Sequence, residues 1–186
     1  RIRGFLLPFL LLGRSLLFLS ALPLVFLIRL LPSGPPGKNE IEESESPTAA
    51  AGGKDAPPVS MVIPNFNGKQ LLTDCIPSIF SALEQYPGEG EIIVVDDASS
   101  DGSVEWIEEN YPSVRVLALR KNRGFGRASN LGIASTKHRA VILLNSDITV
   151  EPDFLGPLID HLRDPGLFAV QPRLNNWSGD ELDLGV

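Results

Sequence analysis

Residues 140–154 read AVILLNSDITVEPDF. Five apolar residues, Ala140–Leu144, run directly into Asn145-Ser146-Asp147, and a second apolar step, Ile148–Val150, leads to Glu151-Pro152-Asp153. A continuous apolar run that ends abruptly in a carboxylate is how a fully buried strand of an α/β protein delivers a polar group to the rim of its sheet. Asp147 is therefore the first candidate for a metal-holding residue, with Asn145 and Ser146 beside it.

Upstream of this stretch the same texture repeats. Val59–Ile63, Glu91–Val95 and Val114–Leu119 read as strands, Arg139–Leu144 as the fourth and Leu167–Gln171 as a fifth. Between them, Leu71, Leu72, Cys75, Ile76, Ile79, Phe80 and Leu83 recur at helical spacing. A second helix follows Asp101, a plausible N-cap, with Val104, Ile107 and Tyr111 inward. Phe125–Ser135 and Glu151–Arg163 read as the third and fourth helices, with Pro152 in the first turn of the latter. Strands alternating with helices predict an α/β fold with a mostly parallel sheet flanked by helices.

In such sheets, ligands bind beyond the carboxyl ends of the strands. Four expected strands end in polar clusters: Pro64-Asn65-Phe66-Asn67-Gly68, Asp96-Asp97-Ala98-Ser99-Ser100-Asp101-Gly102, Asn122–Asn130, and Asn145-Ser146-Asp147. One such cluster is a turn; four at one rim make a site. For Asp101 and Gly102 a structural, turn-forming role is favoured. Asp96 and Asp97 repel one another, and a ligand with donors or a cation would relieve that cost. Gly124 and Gly126 permit close backbone approach, and nearby helix amides suit an anion. Gly124-Phe125-Gly126-Arg127-Ala128-Ser129 also approximates the dinucleotide fingerprint, but Ser129 replaces the third glycine and the motif follows the third strand. His138 and His161 read as surface or helix-end residues, and Trp106 and Trp177 as packing residues.

The formal charge of the 186-residue chain is −7. From Val59 onward there are 10 Lys/Arg against 18 Asp/Glu, and four of those bases (Arg120, Lys121, Arg123, Arg127) fall within eight residues. An overall acidic surface argues against a nucleic-acid partner. One compact basic cluster suits a small anionic ligand. Cys75 is the single cysteine, which excludes an internal disulfide and a cysteine metal site and suits a buried core residue.

The chain before Val59 has two parts. Residues 1–32 are overwhelmingly apolar, and Phe5–Leu31 exceeds the roughly 20 residues that a spanning helix needs. Arg14 is the awkward interior charge. A transmembrane helix or short membrane hairpin is the favoured expectation, ahead of a cleaved signal peptide and a buried soluble helix. The flanking charges do not orient it. Residues 33–58 are rich in Pro, Gly, Ala, Ser and Glu and read as a disordered linker with a solvated acidic run, Glu40–Glu45. Residues 59–186 form the third part. The first residue, Arg1, and the polar stretch before Val186 suggest a fragment.

Val59–Gly68 together with Val94–Ser103 resembles the opening of family 2 glycosyltransferases of the GT-A fold. Asn122–Asn130 and Leu143–Leu155 fit the same pattern, particularly its rhamnosyltransferase-like branch, over about Val59–Leu174. The resemblance implies an inverting transfer of sugar from a nucleotide-sugar donor, dTDP- or UDP-linked, to a glycan or lipid-linked acceptor. It implies that Pro64, Asn65, Phe66, Asn67, Asp96, Asp97, Arg127 and Ser146 line the nucleotide. Asn145-Ser146-Asp147 takes the D-x-D position, where the family holds Mg²⁺ or Mn²⁺, with Asn145 replacing the first acid. The catalytic base is expected beyond Val186. With the apolar segment before it, the reading is a membrane-anchored enzyme, and a cytoplasmic side for its catalytic part follows from where sugar nucleotides are found. The rival readings are a non-catalytic nucleotide-sugar-binding module and, less favoured, a nicotinamide-type Rossmann oxidoreductase.

Overall fold

The computed structural model describes residues 26–29, 56–164, 166–172 and 174–175. Its elements are β1 (Phe26–Arg29), β2 (Val59–Asn65), α1 (Lys69–Gln85), β3 (Gly90–Asp96), α2 (Ser103–Asn110), β4 (Arg115–Ala118), α3 (Phe125–Ala134), β5 (Ala140–Leu143), α4 (Leu155–His161) and β6 (Ala169–Val170). They build one six-stranded sheet in the order β4-β3-β2-β5-β1-β6. The β2–β3, β2–β5 and β3–β4 pairings are parallel, as the alternation of strands and helices predicts. The expected strands and helices from Val59 onward are all present, with shifted ends.

Alternate residues of the central strands feed two cores, because side chains alternate across a sheet. Met61, Ile63, Ile92, Val94 and Ile142 join Leu72, Cys75, Ile76, Ile79, Ile107, Leu155 and Leu158, so α1, α2 and α4 cover one face. Val62, Ile93, Val95, Val141 and Leu143 meet Ala128 of α3 on the other. Helix α3 lies close to the sheet at Gly132, where a Cβ would collide with Val62 Cγ1 and stand 2.9 Å from Val95 Cγ2. Cys75 is fully buried, as expected. Trp106 packs edge-on against Tyr111, with ring centroids 5.5 Å apart. Leu71, counted on the apolar face of α1, is instead exposed.

Three expectations are corrected. The fourth helix begins at Leu155, so Pro152 stands in a preceding turn, where the Phe154 N–H meets the Glu151 carbonyl at 3.2 Å. Gly102, at φ +74°, occupies the N-cap position of α2 in place of Asp101. His138 is neither a helix-end nor a surface residue. Its Nδ1 lies 2.9 Å from the Val59 carbonyl oxygen and 3.2 Å from Ser60 Oγ, beneath the amino ends of the strands.

The expected membrane segment, residues 1–32, lies outside the described residues except for Phe26–Arg29. Those four are a β-strand, antiparallel to β5 with Phe26 opposite Leu143 and Arg29 opposite Ala140, and antiparallel to β6. An open edge of β5 accepts any extended segment, because backbone donors and acceptors there need partners. Among the described residues no helix is long and apolar enough to cross a membrane. The linker before Ala56, together with Trp177, Asp180, Glu181 and Asp183, also falls outside the described residues.

Candidate functional site

Because β2, β3, β4 and β5 are parallel, their carboxyl ends share one edge of the sheet, and the four polar clusters emerge there together. Hydrogen bonds then knit the loops. The Asn67 N–H donates to Ser99 Oγ at 2.8 Å, and the Ser100 N–H donates to Asn67 Oδ1 at 2.8 Å. Asp101 joins two helices: Oδ2 accepts the Lys69 N–H, the first of α1, at 2.8 Å. Its Oδ1 accepts the Ser103 N–H, the first of α2, at 3.0 Å, together with the Ser103 hydroxyl. Helix-end amides have no intrahelical acceptor, so one carboxylate serves both ends. Burial pushes the Asp101 carboxyl up, but the bonds from Ser103 and Lys69 outweigh this and hold it below the usual range.

The expected repulsion between Asp96 and Asp97 is relieved from within the protein. Asp96 Oδ2 accepts from Asn65 Nδ2 at 3.0 Å, and Oδ1 accepts the Ser99 N–H at 2.9 Å. Asp97 turns the other way. Its Oδ1 accepts the Arg123 N–H and its Oδ2 the Gly124 N–H, each at 2.7 Å. Charge-assisted bonds of this length are strong, so Asp97 fixes the loop that carries the arginine cluster. The amides that Asp97 occupies, those of Arg123 and Gly124, stand just ahead of the first residue of α3.

The eight expected nucleotide-lining residues separate into two groups. Pro64, Asn65, Asp96 and Asp97 are buried, with Asn65 at 2% and Asp96 at 1% exposure. Asn65 and Asp96 bond to one another and to Ser99 within the loops they carry. Phe66, Asn67 and Arg127 are exposed at the rim, Phe66 at 54%, and Ser146 is half-buried.

The Asn145-Ser146-Asp147 turn closes over α1. The Ile148 N–H reaches the Asn145 carbonyl at 3.3 Å, and the Val150 N–H donates to Ser78 Oγ at 3.1 Å. A Cβ on Gly68 would collide with Asn65 Oδ1 and stand 3.3 Å from Ser146 Oγ, so Gly68 is where the β2 and β5 loops touch. Partial desolvation lifts the Asp147 carboxyl above the usual range, against a smaller lowering by its own N–H. Beneath it, burial pushes the Cys75 thiol up to about 12, with the Asp147 charge adding to the effect, so Cys75 stays a thiol.

Among the described residues no group of three or more His, Cys, Asp or Glu is arranged for a metal. What the turn offers is the Asp147 carboxylate and Asn145 Oδ1, which is buried and lacks a hydrogen-bond partner. Oxygen donors of this kind suit a hard cation that takes most of its ligands from phosphate and water, as Mg²⁺ does.

Some features of the site carried no sequence signal: the left-handed backbone at Ala98 (φ +65°), and Ser99 and Ser103 as hydrogen-bond hubs around Asn65. The serines stand in a turn-rich string that offers several equivalent oxygens, and only the packing of β2 on β3 selects among them.

A mostly parallel sheet flanked by helices, with polar loops at its carboxyl edge and an acid-bearing turn after the fourth parallel strand, is the GT-A-like architecture that the resemblance implies. Residues 60–184 match the family described as Glycosyl transferase family 2, and the chain belongs to that family. It is similar to the succinoglycan biosynthesis protein ExoO of Rhizobium meliloti, with 37% identity over 129 residues, which are 69% of this chain and 36% of that protein. It is also similar to an N-acetylglucosaminyltransferase of Bradyrhizobium elkanii, with 31% identity over 123 residues, 63% of this chain and 66% of that one. Among solved structures it resembles the mannosyltransferase PcManGT of Pyrobaculum calidifontis in complex with GDP-Man and Mn²⁺. The TM-score is 0.52 at 26% identity, covering 59% of this chain and 33% of that one. The chain thus spans about a third to two thirds of the length of these relatives.

Proposed function

We propose that this chain is the nucleotide-sugar-binding part of an inverting glycosyltransferase that moves a sugar from a nucleoside-diphosphate donor to a glycan or lipid-linked acceptor. The observation that carries the reading is the convergence of Phe66, the Asp97-anchored arginine loop and the Asn145–Asp147 turn on one sheet edge. Phe66 offers a face for the base. Asp97, with both oxygens already accepting, keeps further lone pairs for a base N–H. Arg127 supplies charge for the diphosphate.

In the reaction an acceptor hydroxyl oxygen bonds to the anomeric carbon as that carbon's bond to the diphosphate oxygen breaks. The electron pair leaves with the nucleoside diphosphate, and the hydroxyl proton passes to a carboxylate acting as general base. A divalent cation, Mg²⁺ or Mn²⁺, held by Asp147 and Asn145 would neutralise charge on the leaving diphosphate. The arginine cluster does the same from the protein side, and helps only to the extent that it is in place before charge develops.

The finer reading is a rhamnosyltransferase-like enzyme using a dTDP- or UDP-sugar, supported by the motifs at Asn122–Asn130 and Leu143–Leu155. It sits at the cell membrane with its catalytic part on the cytoplasmic side, where sugar nucleotides are found, and serves cell-surface polysaccharide synthesis. Asn145 in place of an acid favours one rival, a nucleotide-sugar-binding module without catalysis. A nicotinamide role is disfavoured, since Gly124–Ser129 follows β4 and does not open the first βα unit.

Calorimetric titration with UDP-, dTDP- and GDP-sugars, with and without Mg²⁺, tests the pocket. Saturable binding to one of them that strengthens with Mg²⁺, and loses that dependence in Asp147→Ala, is expected. Binding of NADH in preference to every sugar nucleotide would overturn the reading.

A further inference from the structure

Asn65 closes β2, is buried, and turns its carboxamide toward two loops at once. On one side Nδ2 lies 3.0 Å from Asp96 Oδ2, 3.2 Å from Ser103 Oγ and 3.4 Å from Ser99 Oγ. A carboxylate only accepts, so the nitrogen must face Asp96 and Oδ1 must point the other way. There Oδ1 is buried and has no hydrogen-bond partner among the described residues. An amide oxygen taken out of water without a donor is costly, so the atom calls for one.

The candidate donor stands across Gly68. A Cβ on Gly68 would collide with Asn65 Oδ1, and the nearest atom of another loop would be Ser146 Oγ, at 3.3 Å. Gly68 has φ −109°, which any residue adopts, so it is the close approach of the loops that demands glycine here. A serine hydroxyl both donates and accepts, and it rotates to suit its neighbour.

We propose that Asn65 is a positioning residue that locks the β5 turn to the β2 loop: its Oδ1 accepts the Ser146 hydroxyl, directly or through one water, across the gap that Gly68 leaves. The proposal rests on the reading above, in which Phe66 faces the base and Asp147 the cation. One buried side chain then fixes the base-side loop by its nitrogen and the cation-side turn by its oxygen. The two ends of a nucleoside diphosphate meet loops already set at one spacing, which lowers the ordering cost of binding.

Cys75, the single cysteine, reads this lock without any ligand. It is fully buried under the turn, with Sγ 3.9 Å from the Asn145 carbonyl oxygen, so its labelling by a thiol reagent reports opening of the turn. In the full chain Ser146→Ala is expected to speed labelling about fivefold, the equivalent of one hydrogen bond of ordinary net strength. The rate should depend only weakly on low urea, the mark of local opening. Ser146→Thr, which keeps the hydroxyl, should label at close to the parent rate. In an Asn65→Ala background, Ser146→Ala should add less than about twofold, because the partner is already gone. Should Asn65→Ala not fold, Gly68→Ala serves as the background, since its methyl group stands between the two oxygens.

With UDP saturating, the half-saturating Mg²⁺ concentration is expected to rise about fivefold in Ser146→Ala and to return in Ser146→Thr, a readout that lost packing alone would not move. Equal labelling of the parent and Ser146→Ala, or the same step with and without the Asn65 partner, would overturn the proposal. So would Mg²⁺ half-saturation indifferent to Ser146→Ala. A parent that binds no UDP would count against the nucleotide reading instead, and the ligand-free labelling would still decide the lock.

Discussion

Asp97 Oδ2 accepts the Gly124 N–H at 2.7 Å, across 27 positions of sequence, while its other oxygen holds the N–H of Arg123 at the same distance. The acid that the family resemblance assigns to the base is thus also the anchor of the arginine loop. Replacing it with alanine leaves two amides without their acceptor and should cost about 2–4 kcal/mol of stability. Asp97→Asn, which keeps one acceptor, should cost about half as much. Urea denaturation measures both, and a loss below about 0.5 kcal/mol for Asp97→Ala would show that the anchor is dispensable.

Asp147 stands in the opposite electrostatic position. Its folded carboxyl is raised above the ordinary 3.8 by desolvation, so the folded state binds the proton more tightly than the unfolded chain. Stability then declines as pH rises from about 3.8 through the folded value, and the ionised group opposes folding at neutral pH. Asp147→Asn should therefore unfold at an equal or higher urea midpoint than the parent at pH 7 and show no stabilisation by millimolar Mg²⁺. A lower midpoint at pH 7 would contradict the sign.

Asp101 has the reverse sign. Its bonds to the first amides of α1 and α2 hold its pKa below 3.8, so its contribution is present above pH 4 and disappears as pH falls through the folded value. The group is largely exposed, and solvent screening keeps the effect small. Denaturant midpoints followed from pH 6 to pH 2.5 should show a shallower acid limb in Asp101→Asn than in the parent. Superimposable limbs would remove Asp101 from the account.

Ala98 adopts φ +65° between Asp97 and Ser99. A side chain in the left-handed region costs about 1–2 kcal/mol, and the greater freedom of glycine in the unfolded chain takes back about 0.5–1 kcal/mol. Ala98→Gly should therefore stabilise the protein by up to about 1 kcal/mol, visible as a higher melting temperature, while Ala98→Val should destabilise it. A melting temperature lowered by the glycine would show that the Cβ makes contacts outweighing the backbone cost.

Helical spacing in Leu72, Cys75, Ile76 and Ile79, and the apolar runs at Val59, Ile92 and Ala140, foretold the layered α/β architecture because periodicity is imposed by the backbone itself. The rim position of Asn145–Asp147 followed from the same patterning. The division of labour at that rim was not legible there. Asp96 and Asp97 are neighbours with identical chemistry, and which one turns inward depends on Asn65 and Ser99 on one side and the Arg123–Gly124 amides on the other. Nor was the strand at Phe26–Arg29 legible, since an apolar run serves a sheet edge as well as a membrane span.

From Val59 onward, local pattern by itself determined the order of strands and helices and the edge at which the polar loops emerge, because both depend on residues close in sequence. Tertiary structure alone decided which carboxylates shape the site and which face outward, and that Phe26–Arg29 adds an antiparallel strand beside β5. Those outcomes rest on hydrogen bonds and pairings between residues tens to more than a hundred positions apart, which come into being only when the sheet assembles.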